Sequence, residues 1–173
     1  MNKKFWTTAL AFGIPWTIFM IIFTALMEGN LNLNTILSSI VAGIIASVFF
    51  AWVMQYTAGR LLEKINIEIS PNEVIIKEGG ANHFKGLESV GGKLVLTDKR
   101  LLFKSHRYNV QNHQESFDLE EIENVERTKS LLFWKNGLQV KMADNSVEKF
   151  IVEEPGKWRD EIMELMKVSL ATK

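Results

Sequence analysis

Few side chains in this sequence could ligate a metal or act as a strong nucleophile. There are three histidines, His83, His106 and His113, and no cysteine. No two histidines stand four residues apart, and their neighbours show no ligand-rich pattern, so we interpret them as surface loop residues and expect no metal site. The absence of cysteine excludes disulfides, thiolate zinc sites and cysteine nucleophiles.

Carboxylates are plentiful, and four of them stand close together: Glu120, Glu121, Glu123 and Glu126. Paired acids hydrolyse glycosidic bonds only when a cleft holds them at a fixed separation, whereas a run of acids is typical of a solvated face. No nucleophile elbow, phosphate loop or dinucleotide fingerprint occurs. We therefore expect no enzymatic activity and no cofactor.

Basic residues gather around one predicted hairpin. The stretches "KLVLT" and "RLLFKS" are typical of strands, and the polar step between them is short enough for a turn. The candidate contacts for an anionic lipid or a partner are Lys99, Arg100, Lys104 and Arg107. Each base near a membrane surface could contribute up to about 1 kcal/mol. The alternative is ordinary solubilising charge, with Arg100 paired to a nearby acid.

The charge balance argues against nucleic acid as a partner. From Ile65 onward the chain has 16 Lys and Arg against 18 Asp and Glu. Strong nucleic-acid binding needs a basic surface that displaces counterions from phosphates, and this region has no basic excess.

Two long apolar stretches precede that region. Phe5 to Met27 contains no charged residue, and neither does the stretch from about Asn34 to Ala58. Each is long enough, as a helix, to cross a hydrocarbon core of about 30 Å. The first stretch is too long for a signal peptide's apolar region and no small-residue cleavage site follows it. We predict a transmembrane helical hairpin, with a bend but no break at Pro15.

Small residues form one stripe on each predicted helix. On the second helix they recur every four residues at Ser39, Gly43, Ser47 and Ala51; on the first they are Ala9, Gly13 and Thr17. Such stripes let helices approach closely in lipid. They predict packing within the hairpin, with a homo-oligomer or assembly into a larger membrane complex as the alternative uses.

Flanking charges predict the orientation of the hairpin. Lys3, Lys4, Arg60 and Lys64 lie at its outer ends, whereas the loop from Glu28 to Asn34 holds one acid and no base. Because positive charge stays on the cytoplasmic side, we expect an integral membrane protein with both termini in the cytoplasm.

The remainder of the chain is rich in predicted strands. Strand candidates are Ile65–Ser70, Glu73–Glu78, the two strands of the basic hairpin, two strands about a tight turn in Phe117–Ser130, Leu138–Met142 and Val147–Val152. We expect Gly79–Gly92 to be a long loop or a poorly formed strand pair, Tyr108–Ser116 a loop, and Asn136-Gly137 a two-residue hairpin turn. From Pro155 to Leu170 the spacing becomes helical, with Trp158, Ile162, Leu165, Met166 and Ser169 on one face.

This order of elements resembles a GRAM domain, a member of the pleckstrin-homology-like superfold. The resemblance covers about Glu73 to Val168. It is carried by Leu96, Thr97, Arg100 and Leu101 in the basic hairpin, and by Leu119, Ile122 and Val125. It implies an antiparallel β-barrel of about seven strands capped by a C-terminal helix, used for lipid or protein binding. Where phosphoinositide-binding relatives carry a basic-x-Arg pattern on the second strand, this chain has Lys93 followed by apolar residues, so specific phosphoinositide binding is not expected.

Together these observations predict an α-helical membrane hairpin at residues 1–60, followed by an α+β soluble domain at residues 65–173. The layout resembles bacterial pleckstrin-like proteins that begin with two membrane helices, so a bacterial cell membrane is the expected location. We expect a cytoplasm-facing binding module whose partners are membrane lipids or an unidentified protein. The alternative is a structural subunit of a larger membrane complex.

Overall fold

A computed structural model describes residues 3–85, 88–106, 113–129 and 136–171. The chain divides into two compact units, Met1–Arg60 and Leu61–Lys173. The first contains the two apolar helices, and the second contains seven strands and a terminal helix.

The first unit is a helical hairpin. Helix α1 spans Lys3–Glu28 and helix α2 spans Leu33–Glu63, so both are a few residues longer than predicted. Gly29 follows α1 with a φ of 70°, a left-handed conformation that ends helices and that glycine adopts without strain. Asn32 then caps α2, because its side-chain oxygen accepts a hydrogen bond from the backbone N–H of Thr35 at 2.9 Å. Helix α1 continues through Pro15 without a break.

The small-residue stripes face each other within the hairpin. On α2 the buried residues are Thr35, Ser39, Gly43, Ser47 and Ala51, and on α1 they are Phe5, Ala9 and Gly13. A Cβ atom at Gly43 would collide with the hydroxyl of Thr17, and one at Gly13 would lie 2.6 Å from the Cβ of Ser47. The glycines therefore set how closely the two helices approach. Large apolar side chains such as Ile14, Phe19 and Phe49 point outward instead.

The second unit is one antiparallel sheet with a helix across it. The strands are β1 Ile75–Lys85, β2 Glu88–Thr97, β3 Arg100–Ser105, β4 Gln114–Asp118, β5 Ile122–Thr128, β6 Gly137–Met142 and β7 Val147–Val152. A short 3₁₀ helix, Leu119–Glu121, joins β4 to β5, and helix α3 spans Pro155–Ala171. The strand order is β4-β3-β2-β1-β7-β6-β5. The expected fold of about seven antiparallel strands with a terminal helix is confirmed; in the described ranges the sheet is open, with β4 and β5 at its edges.

Two predicted local structures were wrong, and a third had left two alternatives. Gly79–Gly92 was expected to be a long loop or a poorly formed strand pair, and the structure has a strand pair, since its two ends are regular parts of β1 and β2. Asn136-Gly137 is not a two-residue turn: Gly137 pairs with Thr128 on β5 and Ile151 on β7, so it lies inside the sheet. Part of Tyr108–Ser116 forms β4, and its residues 108–112 lie outside the described residues.

The main core lies between the inner face of the sheet and α3. Its fully buried side chains include Leu94, Leu101, Phe103, Leu138 and Phe150. Helix α3 buries Trp158, Ile162 and Met166 against β5, β6 and the 3₁₀ helix, with Leu165 half-buried. Burying an apolar face of this kind is the principal source of stability for a small domain.

The segment from Leu61 to Ser70, which we call the connector, covers the outer face of the sheet. It was predicted to contain a strand at Ile65–Ser70, and that prediction was wrong because no strand pairing occurs there. The predicted alternation of side chains is nevertheless present. Ile65 and Ile67 are buried and Ile69 is half-buried, and all three pack on Val95 of β2 and Leu102 of β3. Because the segment lies on the face of the sheet and not at its edge, its backbone finds no ladder partner.

A larger side chain at Gly43 tests the packing of α1 against α2. Gly43→Leu should force α1 and α2 apart and lower the free energy of unfolding by about 1–3 kcal/mol, the usual cost of overpacking. Gly59→Leu on the same helix is the control, since a Cβ there meets nothing within 4 Å. The measurement is thermal unfolding of the intact protein in mild detergent, with particle mass from light scattering. Equal stability of the two variants would contradict packing within the hairpin, and loss of a dimeric mass in Gly43→Leu would favour a homo-oligomer.

Removing one buried isoleucine tests the connector. Ile67→Ala should destabilise the second unit by about 2 kcal/mol, the lower end of the range for buried isoleucine. The neighbouring Glu68 is exposed, so Glu68→Ala should change stability by no more than about 0.5 kcal/mol. The heat-induced loss of β-sheet circular dichroism in the intact protein measures both. If the two variants melted together, the connector would not be packed on the sheet.

Candidate functional site

The predicted basic residues do not form one patch. Lys99 and Arg100 lie at the turn between β2 and β3, whereas Lys104 lies four residues further along β3, near its other end. At about 3.3 Å per strand residue this separates Arg100 from Lys104 by roughly 13 Å. Arg107 lies outside the described residues. The three described bases therefore lie toward the two ends of β3.

Two of these bases hold the connector and the segment after it. The Arg100 guanidinium donates to the two carboxylate oxygens of Glu73, each at 3.0 Å, and to the Ser70 hydroxyl at 3.3 Å. The Lys104 ammonium donates to the backbone carbonyl of Asn66 at 2.8 Å. Their observed contacts are structural, while Lys99 points its charge into solvent.

Glu73, the acid that pairs with Arg100, has a shifted pKa. Only 6% of the Glu73 side chain is exposed. Burial raises the pKa of this carboxyl, but hydrogen bonds from Arg100 and from two nearby hydroxyls, together with the Arg100 charge, outweigh burial. The pKa of Glu73 therefore lies below its ordinary value, so the carboxylate stays ionised and bound to Arg100 at neutral pH.

Several other bases of the second unit are also paired with acids. They form the ion pairs Lys77–Glu161, Lys93–Glu78, Lys141–Glu123, Lys157–Glu154 and Arg159–Asp160. The acids of the Glu120–Glu126 run are exposed, as expected of a solvated face. Part of the charge of the described ranges is thus balanced locally.

An exposed apolar patch lies beside the β2–β3 turn. Val74, Ile75 and Ile76 are consecutive and remain 61%, 47% and 46% exposed. They do not alternate, because the pairing of β1 with β2 shifts by one residue between Ile75 and Lys77, which marks a β-bulge. Backbone hydrogen bonding between Val74 and Asp98 holds this patch next to Lys99. We call Val74, Ile75, Ile76 and Lys99 the turn patch.

The sequence held a signal for the turn patch that our strand assignment passed over. Three consecutive β-branched apolar residues cannot all face one core in a regular strand, since side chains alternate. At least one of them had to be exposed or to mark a bulge.

His83 contradicts its interpretation as a surface loop residue, whereas His106 and His113 lie outside the strands and are half-buried. His83 lies on β1 and is fully buried, with its ring stacked on Phe150 at 4.5 Å between centroids. Its Nε2 lies 2.7 Å from a carboxylate oxygen of Glu148 on β7, and its Nδ1 lies 3.0 Å from Nε2 of His113. Glu115 of β4 places an oxygen 3.7 Å from the same Nδ1. We call His83, His113, Glu115 and Glu148 the histidine cluster.

The histidine cluster lies at the opposite end of the sheet from the turn patch. His83 is two residues from the end of β1, His113 immediately precedes β4, and Glu148 is the second residue of β7. Sequence spacing could not reveal this cluster, because its members are 30 and 65 residues apart and meet only when the sheet curls. One ligand atom from each of His83, His113 and Glu115 lies within 4.8 Å of the others, so these residues could hold a metal ion.

Comparison with known proteins agrees with this topology. The model of the GRAM domain family matches residues 61–170, so the chain belongs to the GRAM domain family. Its sheet and terminal helix have the pleckstrin-homology-like arrangement. The domains of this class are typically binding modules and not enzymes.

The solved structures to which the chain is similar are distant in sequence. The C-terminal domain of an unknown protein from Leishmania infantum is 17% identical, with 68% of this chain and 97% of that chain covered and a TM-score of 0.49. The Vps36 N-terminal PH domain is 12% identical, with 60% and 86% covered and a TM-score of 0.49. The N-terminal PH domain of human ARAP2 is 12% identical, with 63% and 91% covered and a TM-score of 0.44. No curated protein matches the sequence.

The Arg100–Glu73 pair predicts a pH dependence. Because the folded pKa of Glu73 is lowered, its contribution to stability is fully present above the unfolded pKa and is lost as the pH falls through the folded pKa. Arg100→Ala should lower the free energy of unfolding at pH 7 by about 1.5–3 kcal/mol, the usual value for hydrogen bonds to a charged group. It should also flatten the loss of stability below the ordinary carboxyl pKa.

Lys99, the exposed neighbour of Arg100, supplies the control for the predicted pH dependence. Lys99→Ala should leave both the stability at pH 7 and its acid dependence within about 0.5 kcal/mol of the original protein. Thermal melts of the intact protein between pH 3 and pH 7 measure both variants. A parallel pH profile for Arg100→Ala and the original protein would show that the ion pair contributes nothing.

Proposed function

We propose that this protein is a membrane-anchored, cytoplasm-facing binding module that recognises a lipid headgroup or a protein segment at the membrane surface. The helical hairpin is the anchor and the GRAM domain is the receptor. No catalytic role is proposed.

The outward faces of the hairpin support the anchoring. Both helices are long and apolar enough to cross a membrane. Their large apolar side chains are mostly exposed, Leu26 by 76% and Ile45 by 65% among them. A contiguous apolar surface of this extent is rare on a soluble monomer, whereas hydrocarbon solvates it.

Charge placement supports the cytoplasmic orientation. The bases Lys3, Lys4, Arg60 and Lys64 flank the outer ends of the hairpin, and its loop contains Glu28 alone. A cell membrane with both termini inside is therefore the location that we propose. We also propose that this is a bacterial cell membrane, because the order of two apolar helices and one domain resembles that of bacterial pleckstrin-like proteins.

The turn patch is the single observation that carries the binding function. Val74 lies only eleven residues beyond the end of α2, so chain length alone keeps the patch close to any membrane that α2 crosses. Apolar side chains beside an exposed ammonium fit the interface of a bilayer, where the side chains enter the acyl boundary and the base lies at the headgroups. We assign Lys99 to this contact and place Arg100 and Lys104 in the support of the connector.

A groove on the hairpin favours the alternative role of a structural subunit. It runs between α1 and α2 and is lined by apolar side chains, including Leu10, Ile14, Ile18 and Ile44. A helix of another membrane protein would find complementary apolar surface there. Crosslinking in native membranes from a cysteine at Ile44 would then give one stoichiometric partner.

Depth measurements test the proposed lipid contact. The chain has no cysteine, so Ile76→Cys provides a single attachment site for a fluorophore in the intact protein reconstituted into vesicles. Brominated lipids should quench a label at residue 76. Adding phosphatidylserine should strengthen the quenching, and Lys99→Glu should cancel that increase, because it reverses the charge that attracts the anionic surface.

A label at the opposite end of the sheet is the matched control. Ser146→Cys lies in the exposed turn before β7 and should not be quenched. A membrane-impermeant thiol reagent applied to intact cells should leave both cysteines unmodified if the domain is cytoplasmic. Quenching at residue 76 no stronger than at residue 146 would refute the lipid contact.

A further inference from the structure

The histidine cluster is separate from the turn patch and takes no part in the function proposed above. We infer that it is a binding site for a divalent transition-metal ion of the zinc class, with His83 Nδ1, His113 Nε2 and a Glu115 carboxylate oxygen as ligands. Glu148 acts as the outer partner that orients His83.

The spacing of the ligand atoms fits a tetrahedral ion. Two ligands at about 2.0–2.1 Å from zinc in tetrahedral geometry are separated by about 3.3 Å. The observed separations from His83 Nδ1 are 3.0 Å to His113 Nε2 and 3.7 Å to the Glu115 oxygen, which bracket that value. One ligand atom from each of the three residues lies within 4.8 Å of the other two.

Glu148 gives His83 the tautomer that a metal ligand requires. Its carboxylate can only accept, so the 2.7 Å contact places a proton on Nε2 of His83. In the neutral ring the lone pair is then on Nδ1, directed toward His113 and Glu115. A carboxylate that accepts from the far nitrogen of a ligating histidine is the usual outer shell of a zinc site.

The carboxylates of the cluster also favour a cation. His83 is fully buried and has a carboxylate oxygen near each of its nitrogens, Glu148 on one side and Glu115 on the other. Imidazole nitrogens and carboxylate oxygens that converge on one point are suitable ligands for a divalent ion.

The donor set selects the class of metal. Two imidazole nitrogens and one carboxylate suit zinc and its neighbours among the transition metals, whereas calcium and magnesium prefer oxygen donors throughout. Three protein ligands leave a fourth position for water. The bound ion would join β1 to the start of β4, two strands that are not neighbours in the sheet.

Metal titration of the intact protein tests the site. The protein, prepared in mild detergent without a histidine tag and stripped with a chelator, should bind one equivalent of Zn²⁺ in calorimetry. Co²⁺ in its place should give the strong visible absorption of a tetrahedral centre. His113→Asn and Glu115→Gln should each weaken Zn²⁺ binding more than tenfold, and Glu148→Gln by about 10–100-fold.

His106→Asn is the matched control, since it removes an imidazole from the same end of the sheet but outside the cluster. It should keep one equivalent of Zn²⁺ at unchanged affinity. His113 and Glu115 are only partly buried, so their variants should fold, and circular dichroism checks that they do. The absence of saturable binding, or equal affinity in His113→Asn and the original protein, would overturn the site. Either result leaves the membrane contact at the turn patch untouched.

Discussion

The fold depends on the need to cover both faces of the central strands. On β2 and β3 the inward side chains Leu94 and Phe103 are fully buried, and so are Val95 and Leu102, which point the other way. A sheet that is apolar on both sides must be covered on both sides. The curled sheet and α3 cover the inner face, and the connector covers the outer face with its alternating isoleucines. The segment that ends α2 and follows it is therefore part of the domain's packing.

That arrangement explains what the basic residues do. Arg100 and Lys104 are bases of the kind that bind anionic ligands, but their partners in the structure are Glu73, Ser70 and the carbonyl of Asn66. These contacts fix the position of the connector on the sheet. Lys99 alone among the three extends away from the connector, and the bulge at Ile76 gives it apolar neighbours. The two ends of the sheet thus differ: one presents apolar side chains and a base, the other encloses imidazoles and carboxylates.

Sequence reasoning reached the architecture more readily than the sites. The two apolar helices, the terminal helix and most strands follow from periodicity and length, because those signals are local. For Ile65–Ser70 the alternation of buried and exposed side chains was predicted correctly, but the strand assignment was wrong. A strand also needs a ladder partner, and this segment pairs with no strand in the described part of the chain. Gly92 was assigned to a loop or a poorly formed strand pair, yet it lies in a regular part of β2, where a Cβ atom would collide with the carbonyl of Lys104. The histidine cluster joins residues far apart in the chain, so only the curvature of the sheet brings it together.

The connector also sets how the protein would respond to mechanical load. It is held by isoleucine side chains and two polar contacts, and no ladder of backbone hydrogen bonds ties it to the sheet. Tension applied between α2 and the domain passes through it before it reaches any strand. It would therefore peel away stepwise at low force, while the sheet beneath remained folded. Such a pull would uncover Val95 and Leu102 without unfolding the domain.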